Sequence, residues 1–345
     1  MIEARGLTKR YGDKVAVDNI SFTVEPGTVT GFLGPNGAGK STTMRMIMGL
    51  DKPTTGTVTV AGKKYKDLNA PLCTVGALLD AKGLHGSRSA RSHLRQLAAS
   101  NGIPAKRVDE VLDITGLTSV AKKRVKGFSL GMGQRLGIAA ALLGDPGVLL
   151  FDEPVNGLDP EGVKWVRETC RRLAGEGRTV FISSHLMSEM AQTADHLLVI
   201  GRGRILTAGP VDDVIASATT DRVRVASPQA TQLAELMASR NLAARPVAPN
   251  VLETTATTAA TIGELAAQGG IVLHELTTIR ASLEDAYLEL TGGNTEYNHL
   301  TPGARIIILK EGRRAFDTYI RQIDGIVVNR SSYPASYVQD DWRKR

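Results

Sequence analysis

GPNGAGKS, at residues 34–41, is the stretch that decides the fold of this chain. Glycines let the backbone of such a loop curl until its N–H groups point inward at an anion, and Lys40 adds a positive charge. The hydroxyl of Ser41 is a candidate ligand for Mg²⁺. The pattern predicts a phosphate-binding loop, whose candidate residues are Gly34, Pro35, Asn36, Gly37, Ala38, Gly39, Lys40, Ser41 and Thr42.

The segments on either side of the loop agree with this prediction. Residues 28–33 (TVTGFL) are a short apolar run of strand type, and residues 41–49 predict a helix whose positive N-terminal end favours phosphate. Phosphate binding by this motif requires the order strand, loop, helix. The alternative is a glycine-rich turn that matches the pattern by chance, so the remaining motifs have to decide.

Composition restricts the class of protein. With 345 residues, the chain is long enough for one large domain and a smaller one. No apolar run approaches the ~20 residues of a membrane span. Charged residues stand at the N-terminus, where a signal peptide needs an apolar stretch. These features predict a soluble, cytosolic protein.

Charge and cysteine content narrow the partners. The net charge of +7 suits an acidic partner without identifying it. Aromatic residues make up only 4%, which argues against binding to single-stranded nucleic acid, because that binding uses aromatic stacking. Cys73 and Cys170 lie far apart in sequence, so neither a disulfide framework nor a zinc site is predicted. Both are interpreted as ordinary small apolar residues.

Residues 1–26, before the loop, alternate as strands do, with a turn signal at Gly12-Asp13. An antiparallel β layer is therefore predicted. Tyr11 lies 29 residues before Lys40 and is a candidate to stack on an adenine. The alternative is a half-buried strand tyrosine.

After the loop the chain continues with two strands and then changes character. Residues 55–62 and 73–79 read as strands, and the second leads to Asp80. Apolar residues then follow helical spacing, which predicts a helical lobe over about residues 86–140. The surface of this lobe is basic. A solvated face is the usual explanation, and a dock for an anionic surface is the alternative.

Two apolar runs end in polar side chains. Residues 147–152 (GVLLFD) lead to Asp152 and Glu153, and residues 179–183 (TVFIS) lead to His185. Both runs are typical of buried parallel strands. In an open α/β sheet, ligands bind beyond the carboxyl ends of the strands, so these side chains are expected near the phosphate-binding loop.

With these motifs in hand, residues 2–209 resemble the ATP-binding cassette (ABC) family of transporter ATPases. GPNGAGKS is similar to the Walker A motif of the family, VLLFDE (residues 148–153) to Walker B, and Ser183-Ser184-His185 to the switch-histidine segment. Gly157-Leu158-Asp159 resembles the D-loop. The LSGGQ sequence is represented by FSLGM at residues 128–132, which keeps Ser129 and Gly131. Asp80 stands where the family places a glutamine, with a shorter reach and a negative charge.

The resemblance implies the chemistry of ATP hydrolysis. The amides of residues 37–42 and Lys40 would hold the phosphates, and Ser41, Asp152 and Asp80 are the candidate Mg²⁺ ligands. Glu153 would be the general base that orients the attacking water, and His185 would contact the γ-phosphate. The expected fold is an α/β P-loop NTPase cassette with an antiparallel β layer, a helical lobe and a small C-terminal α+β domain.

The resemblance also implies partners. Ser129 and Gly131 would close over the ATP of a second nucleotide-binding subunit in a head-to-tail dimer, expected to be a homodimer. Asp159 is a further candidate for nucleotide binding. The FSLGMGQRLGIA variant and the ending SLEDAYLELT resemble the bacitracin- and multidrug-exporter ATPases of bacteria. In such systems the ATPase docks on a separate multi-spanning permease. The expected location is therefore the cytoplasm, peripheral to the inner face of the cell membrane.

Beyond the cassette, predicted as residues 1–210, helical and strand patterns alternate. They predict an accessory α+β domain at residues 211–291, resembling a split βαβ unit, with its last strand at residues 271–276. Residues 292–345 are a C-terminal extension of unknown role.

A soluble ABC-type regulator acting on ribosomes or nucleic acid is the competing function. Translation-type members of the family carry two cassettes on one chain, and DNA-repair members insert long coiled coils. Only one set of motifs is present here, so export through a permease is favoured and no nucleic-acid partner is expected.

Overall fold

Strands with apolar residues on both faces set the layered architecture of this protein. The computed structural model describes residues 1–80, 83, 85–218 and 220–291. In the strand Val148–Asp152, Leu149 and Phe151 belong to one buried cluster, while Val148 and Leu150 belong to another on the opposite face. Because successive side chains of a strand point to opposite faces, this sheet must be covered on both sides.

The elements of the described residues run in the following order. The first part contains β1 (Ile2–Tyr11), β2 (Lys14–Val24), β3 (Val29–Leu33), α1 (Lys40–Ile47), β4 (Thr55–Val60), α2 (Pro71–Thr74) and β5 (Val75–Leu78). The second contains α3 (Ala90–Ser100), α4 (Lys106–Ile114), α5 (Leu130–Leu142), β6 (Val148–Asp152), α6 (Pro160–Gly175), β7 (Thr179–Ser184), α7 (Met187–Thr193), β8 (His196–Gly201) and β9 (Arg204–Pro210). The third contains α8 (Val211–Ala218), β10 (Arg222–Ala226), α9 (Ala230–Ala238), β11 (Arg245–Ala248), β12 (Val251–Thr254), α10 (Ala259–Gln268), β13 (Glu275–Ile279) and α11 (Leu283–Leu290).

The central sheet has six strands in the order β5-β6-β7-β3-β8-β9. The first five are parallel, and β9 pairs with β8 in antiparallel register. Strands β5, β6, β7 and β3 therefore end at one edge of the sheet. This edge carries the segments that follow them, which include the phosphate-binding loop after β3 and Asp152-Glu153 at the end of β6.

The predicted antiparallel layer is confirmed as a three-stranded sheet, β2-β1-β4. Its inward residues share a buried cluster with α1 and one face of the central sheet. At the centre of this cluster, the rings of Phe32 and Phe181 stack with centroids 5.3 Å apart, and Phe22 lies 5.8 Å from Phe181. Burial of such rings removes a large apolar area from water and fixes the first layer over the second.

The predicted helical lobe corresponds to α3, α4 and α5. Leu94, Val111 and Leu112 are fully buried, as their helical spacing predicts. They belong to the cluster that also contains Leu149 and Phe151 of β6. Part of the basic surface of the lobe is paired: Arg107 contacts both Glu110 and Asp145. The described contacts therefore neutralise some of the charge noted in the sequence.

The third sheet has the order β11-β12-β10-β13, and all its neighbouring strands are antiparallel. With α9 and α10 it follows the β-α-β-β-α-β succession of the split βαβ fold, as the sequence predicts. Two details differ. The edge strand β11 was not predicted, and it contains Pro246, which removes a ladder donor. The last strand, predicted at residues 271–276, lies at Glu275–Ile279, because Ile271 instead fills the small domain's own core.

The helices that precede and follow this sheet in the chain, α8 and α11, pack against the cassette. Val211 and Val214 of α8 and Leu283 and Tyr287 of α11 belong to the same buried cluster as strands β3 and β6. Residues 1–290 form one compact unit. The division of the chain at residue 210 stays a prediction, and residues 292–345 lie outside the described part. Within the described residues, no helix is long and apolar enough to cross a membrane.

Candidate functional site

The phosphate-binding loop connects β3 to α1, so the predicted order of strand, loop and helix is confirmed. Its backbone needs glycine at two positions with positive φ, Gly37 (80°) and Gly39 (111°). A Cβ on Gly39 would lie 2.6 Å from the carbonyl oxygen of Ala16, so no other residue fits there. Gly39 precedes α1 and has no side chain to cap it, which leaves the first amides of the helix pointing into the loop.

Lys40 lies inside the loop and is 5% exposed. Its Nζ atom donates to the carbonyl oxygens of Gly34 at 2.7 Å and Pro35 at 3.3 Å. The same atom lies 3.4 Å from Oε1 of Glu153. A buried ammonium group is costly unless it is paired, and here both carbonyl dipoles and a carboxylate supply the partners.

The ends of β6 and β7 bring the predicted carboxylates and histidine together. Oε2 of Glu153 and Nδ1 of His185 are 2.8 Å apart. Asp152 is the register partner of Ser183 on β7, and the Ser183 hydroxyl donates to Oδ1 of Asp152. Lys40, Asp152, Glu153 and His185 are thus linked at one edge of the sheet, while their catalytic roles stay predictions.

Asp80 and Tyr11 are further candidate residues. Asp80 is exposed and follows β5, whose Leu78 pairs with Phe151 of β6, so it stands at the same edge as the other carboxylates. The Tyr11 hydroxyl donates to Oδ2 of Asp51 at 2.9 Å. Desolvation, followed by this hydrogen bond, raises the pKa of Tyr11. Tyr11 is 48% exposed, and its stacking on a base stays a prediction.

Ser129 and Asp159 each begin a helix. The Ser129 hydroxyl accepts a hydrogen bond from the Met132 amide at 3.2 Å and caps α5. Asp159 caps α6 by accepting from the Gly162 amide at 2.9 Å. Caps of this kind satisfy amides that have no partner within the helix. Gly131 lies in the first turn of α5, which begins at Leu130.

The two helix starts touch through Leu130, which occupies a glycine position of the LSGGQ pattern. A Cβ on Gly157, where φ is 73°, would lie 2.1 Å from Cδ2 of Leu130. A Cβ on Gly131 would lie 3.2 Å from Cδ2 of Leu158. The loop around Ser129 and the D-loop therefore pack directly on each other within one chain.

Two polar side chains at the site were not predicted as site residues. Ser183 is fully buried beside Asp152, and Gln134 is 6% exposed, with Nε2 3.5 Å from the carbonyl oxygen of Asn156. Oε1 of Gln134 is buried without a hydrogen-bond partner among the described residues. A signal for Ser183 exists in the sequence, since it ends a buried strand one position before Ser184-His185.

The set of side chains that could bind a divalent cation is small. Among the described residues, no group of three or more His, Cys, Asp or Glu side chains could hold a metal by itself. Ser41 and Asp152 offer a hydroxyl and a carboxylate, which are hard oxygen ligands. Mg²⁺ is usually held by one or two such protein oxygens together with water and substrate phosphates. The residues therefore fit Mg²⁺ bound together with a nucleotide.

Comparison with known proteins identifies the family. Residues 17–156 match the family model described as ABC transporter. The chain is 45% identical over 215 residues to the bacitracin transport ATP-binding protein BcrA of Bacillus licheniformis, which covers 61% of this chain and 70% of the relative. The chain belongs to the ABC transporter ATPases. It is therefore an ABC ATPase, a protein that binds and hydrolyses ATP.

Other matches extend over different parts of this ABC ATPase. The uncharacterized ABC transporter ATP-binding protein YhcH of Bacillus subtilis is 36% identical over 300 residues, covering 86% of this chain and 97% of the relative. The solved dimeric structure of MJ0796, a bacterial ABC transporter cassette, superposes with a TM-score of 0.57 at 25% identity, covering 61% of this chain and 99% of that one. Residues 221–284 match a domain of unknown function, DUF8746.

Proposed function

We propose that this ABC ATPase drives the export of a drug, peptide antibiotic or similar compound through a separate membrane permease. The observation that carries the proposal is the linked set of Lys40, Glu153 and His185 at the edge of the sheet. These three side chains would supply the charged groups that ATP hydrolysis needs. The likeness to a bacitracin transport ATP-binding protein supports export as the process that the hydrolysis drives.

Phosphoryl transfer to water requires positioning and charge neutralisation. The amides of the phosphate-binding loop and the Lys40 ammonium group would hold the β- and γ-phosphates. Glu153 would accept a proton from the attacking water, and His185, whose Nδ1 lies 2.8 Å from Oε2 of Glu153, would contact the γ-phosphate. Ser41 and Asp152, with Asp80 as a further candidate, would hold Mg²⁺, whose charge would offset that of the phosphates.

Two chains are proposed to work together. Ser129 and Gly131 belong to a helix start that suits phosphate, and they would close over the ATP of a second subunit in a head-to-tail dimer. The likeness to a dimeric cassette supports this arrangement. The permease partner implies a location at the inner face of the cell membrane.

Co-purification tests the export role. The partner to test is the product of the neighbouring gene, if it contains about six spans of ~20 apolar residues. The chain would be co-expressed with that product and purified in the presence of ATP and Mg²⁺. Capture of that protein, and faster ATP turnover in its presence, are expected. Association with ribosomes and with no membrane protein would favour the soluble regulator instead.

A further inference from the structure

Ser183 connects the two acidic residues of the site through one hydroxyl group. Its side chain is fully buried at the end of β7. The hydroxyl donates to Oδ1 of Asp152, and it accepts a hydrogen bond from the Glu153 amide at 3.0 Å. It is therefore in contact with both the candidate metal ligand and the backbone of the candidate base.

The chemistry of the groups fixes the direction of these bonds. A serine hydroxyl has one proton to donate and two lone pairs, an ionised carboxylate only accepts, and a backbone amide only donates. The proton of Ser183 must therefore point to Asp152, and a lone pair must face the Glu153 amide. Register enforces the pairing, since Asp152 and Ser183 are opposite each other on β6 and β7.

The backbone at Glu153 makes the second bond important. Glu153 has φ of 50°, in the left-handed region that residues other than glycine seldom adopt. Such conformations persist where surrounding contacts hold them. The Ser183 hydroxyl holds the amide of this residue, and the resulting turn directs the Glu153 carboxylate to Lys40 on one side and His185 on the other.

We propose that Ser183 is a positioning residue for ATP hydrolysis. One hydroxyl orients the Asp152 carboxylate toward Mg²⁺ and fixes the turn that aims Glu153 at the attacking water. The carboxylate that would bind Mg²⁺ and the carboxylate that would activate water are thereby fixed relative to each other. The part that concerns Mg²⁺ rests on the proposed metal binding described above.

The test compares Ser183→Ala with Ser183→Thr and with a matched control, Ser184→Ala. Ser184 is also buried at the end of β7, but its hydroxyl accepts from the Leu186 amide at 2.9 Å. ATP turnover would be measured over a range of Mg²⁺ concentrations. ATP affinity without Mg²⁺ and Mn²⁺ affinity in the presence of a non-hydrolysable ATP analogue, followed by electron paramagnetic resonance, complete the measurements.

For Ser183→Ala, a fall of about tenfold or more in kcat is expected, because a hydrogen bond to a charged group is lost. The KM for ATP should change little, and ATP affinity without Mg²⁺ should stay within about twofold, since neither involves Asp152. Mn²⁺ should bind more weakly. Ser183→Thr, which keeps the hydroxyl, should restore most of the turnover, and Ser184→Ala should retain the wild-type metal dependence.

Wild-type turnover and metal affinity in Ser183→Ala would overturn the proposal, as would an equal loss of metal affinity in Ser184→Ala. If Ser183→Ala does not fold, Ser183→Cys takes its place with the same expectations, because the thiol has a similar shape but donates weakly. Failure of the proposed Mg²⁺ site is separately visible, since Asp152→Asn would then leave the Mn²⁺ affinity at the wild-type value.

Discussion

The ammonium nitrogen of Lys40 lies 3.4 Å from Oε1 of Glu153. The other oxygen of the same carboxylate lies 2.8 Å from Nδ1 of His185. Each oxygen of the candidate base is therefore in contact with a side chain of the protein itself. A γ-phosphate bound by Lys40 would compete with Glu153 for the ammonium charge, so nucleotide binding should change the surroundings of the base.

Replacing Glu153 with glutamine should separate ATP binding from hydrolysis. The amide keeps the size of the side chain but cannot accept a proton, so turnover should fall by about 10²- to 10⁴-fold. ATP should still bind, and the variant should accumulate as a closed dimer, which size-exclusion chromatography with ATP would detect. Glu168→Gln, at an exposed position of α6, is the matched control with normal turnover. Full turnover by Glu153→Gln would refute the assignment of the base.

The contact between Leu130 and Gly157 predicts a specific pattern of stability. Gly157→Ala should lower stability by about 1–2 kcal/mol from its left-handed backbone alone. The clash with Leu130 adds to that loss. Gly12→Ala has a similar φ of 57° with open space around its Cβ, so it measures the backbone effect separately.

Thermal unfolding of Gly157→Ala in a Leu130→Gly background completes this comparison. Removal of the Leu130 side chain should reduce the cost of Gly157→Ala to that of Gly12→Ala. Strict additivity of the two substitutions would show that the two residues do not interact.

The two cysteines should differ sharply in reactivity. Burial raises the pKa of the Cys170 thiol to about 12, whereas Cys73 is exposed. The thiolate is the reactive form, so a maleimide at pH 8 should label one thiol per folded chain and two in denaturant. Mass spectrometry would count the labels, and Cys73→Ser should remain unlabelled when folded. Rapid double labelling of the native protein would contradict the buried position of Cys170.

His93 should make stability depend on pH in the acidic range. Desolvation, and then the charges of Arg88 and His85, lower the pKa of His93 below its ordinary value of 6.5. The unfolded chain therefore binds a proton that the folded chain resists, so stability is present above pH 6.5 and falls as the pH decreases through the folded pKa. Melting temperatures between pH 8 and pH 5 should fall less steeply for His93→Gln. Parallel curves would rule out a contribution from His93.

The sequence predicted those parts of the site that depend on local pattern. The glycine loop and the apolar runs that end at Asp152 and Ser183 are continuous in the chain, so each could be predicted from its own residues. The role of Ser183 depends on the register between two strands, which no local pattern specifies. Cys73, interpreted as an ordinary small apolar residue, lies exposed on the short helix α2, a placement that no local pattern specifies.

In the C-terminal region, too, only the features that depend on local sequence pattern were predicted. The succession of helices and strands was predicted, but β11 was missed, because a strand containing Pro246 at a sheet edge carries little apolar alternation. The packing of α8 and α11 into the cassette also could not be predicted, since Val211 and Tyr287 are distant in sequence from the strands they cover.

This packing has a consequence for how the chain is divided. The four-stranded sheet is bordered by two helices that are neighbours, α8 and α11, and both bury side chains in the large core. The sheet is thus inserted between two helices that pack on the cassette, and it is not simply attached to one end of the cassette. Related ATPases could exchange or lose the four-stranded sheet while α8 and α11 stayed packed on each other. The natural crossover points for building chimeras are therefore near residues 221 and 282. A cut at residue 210 would instead remove α8 and expose the apolar side chains of the cassette that it covers.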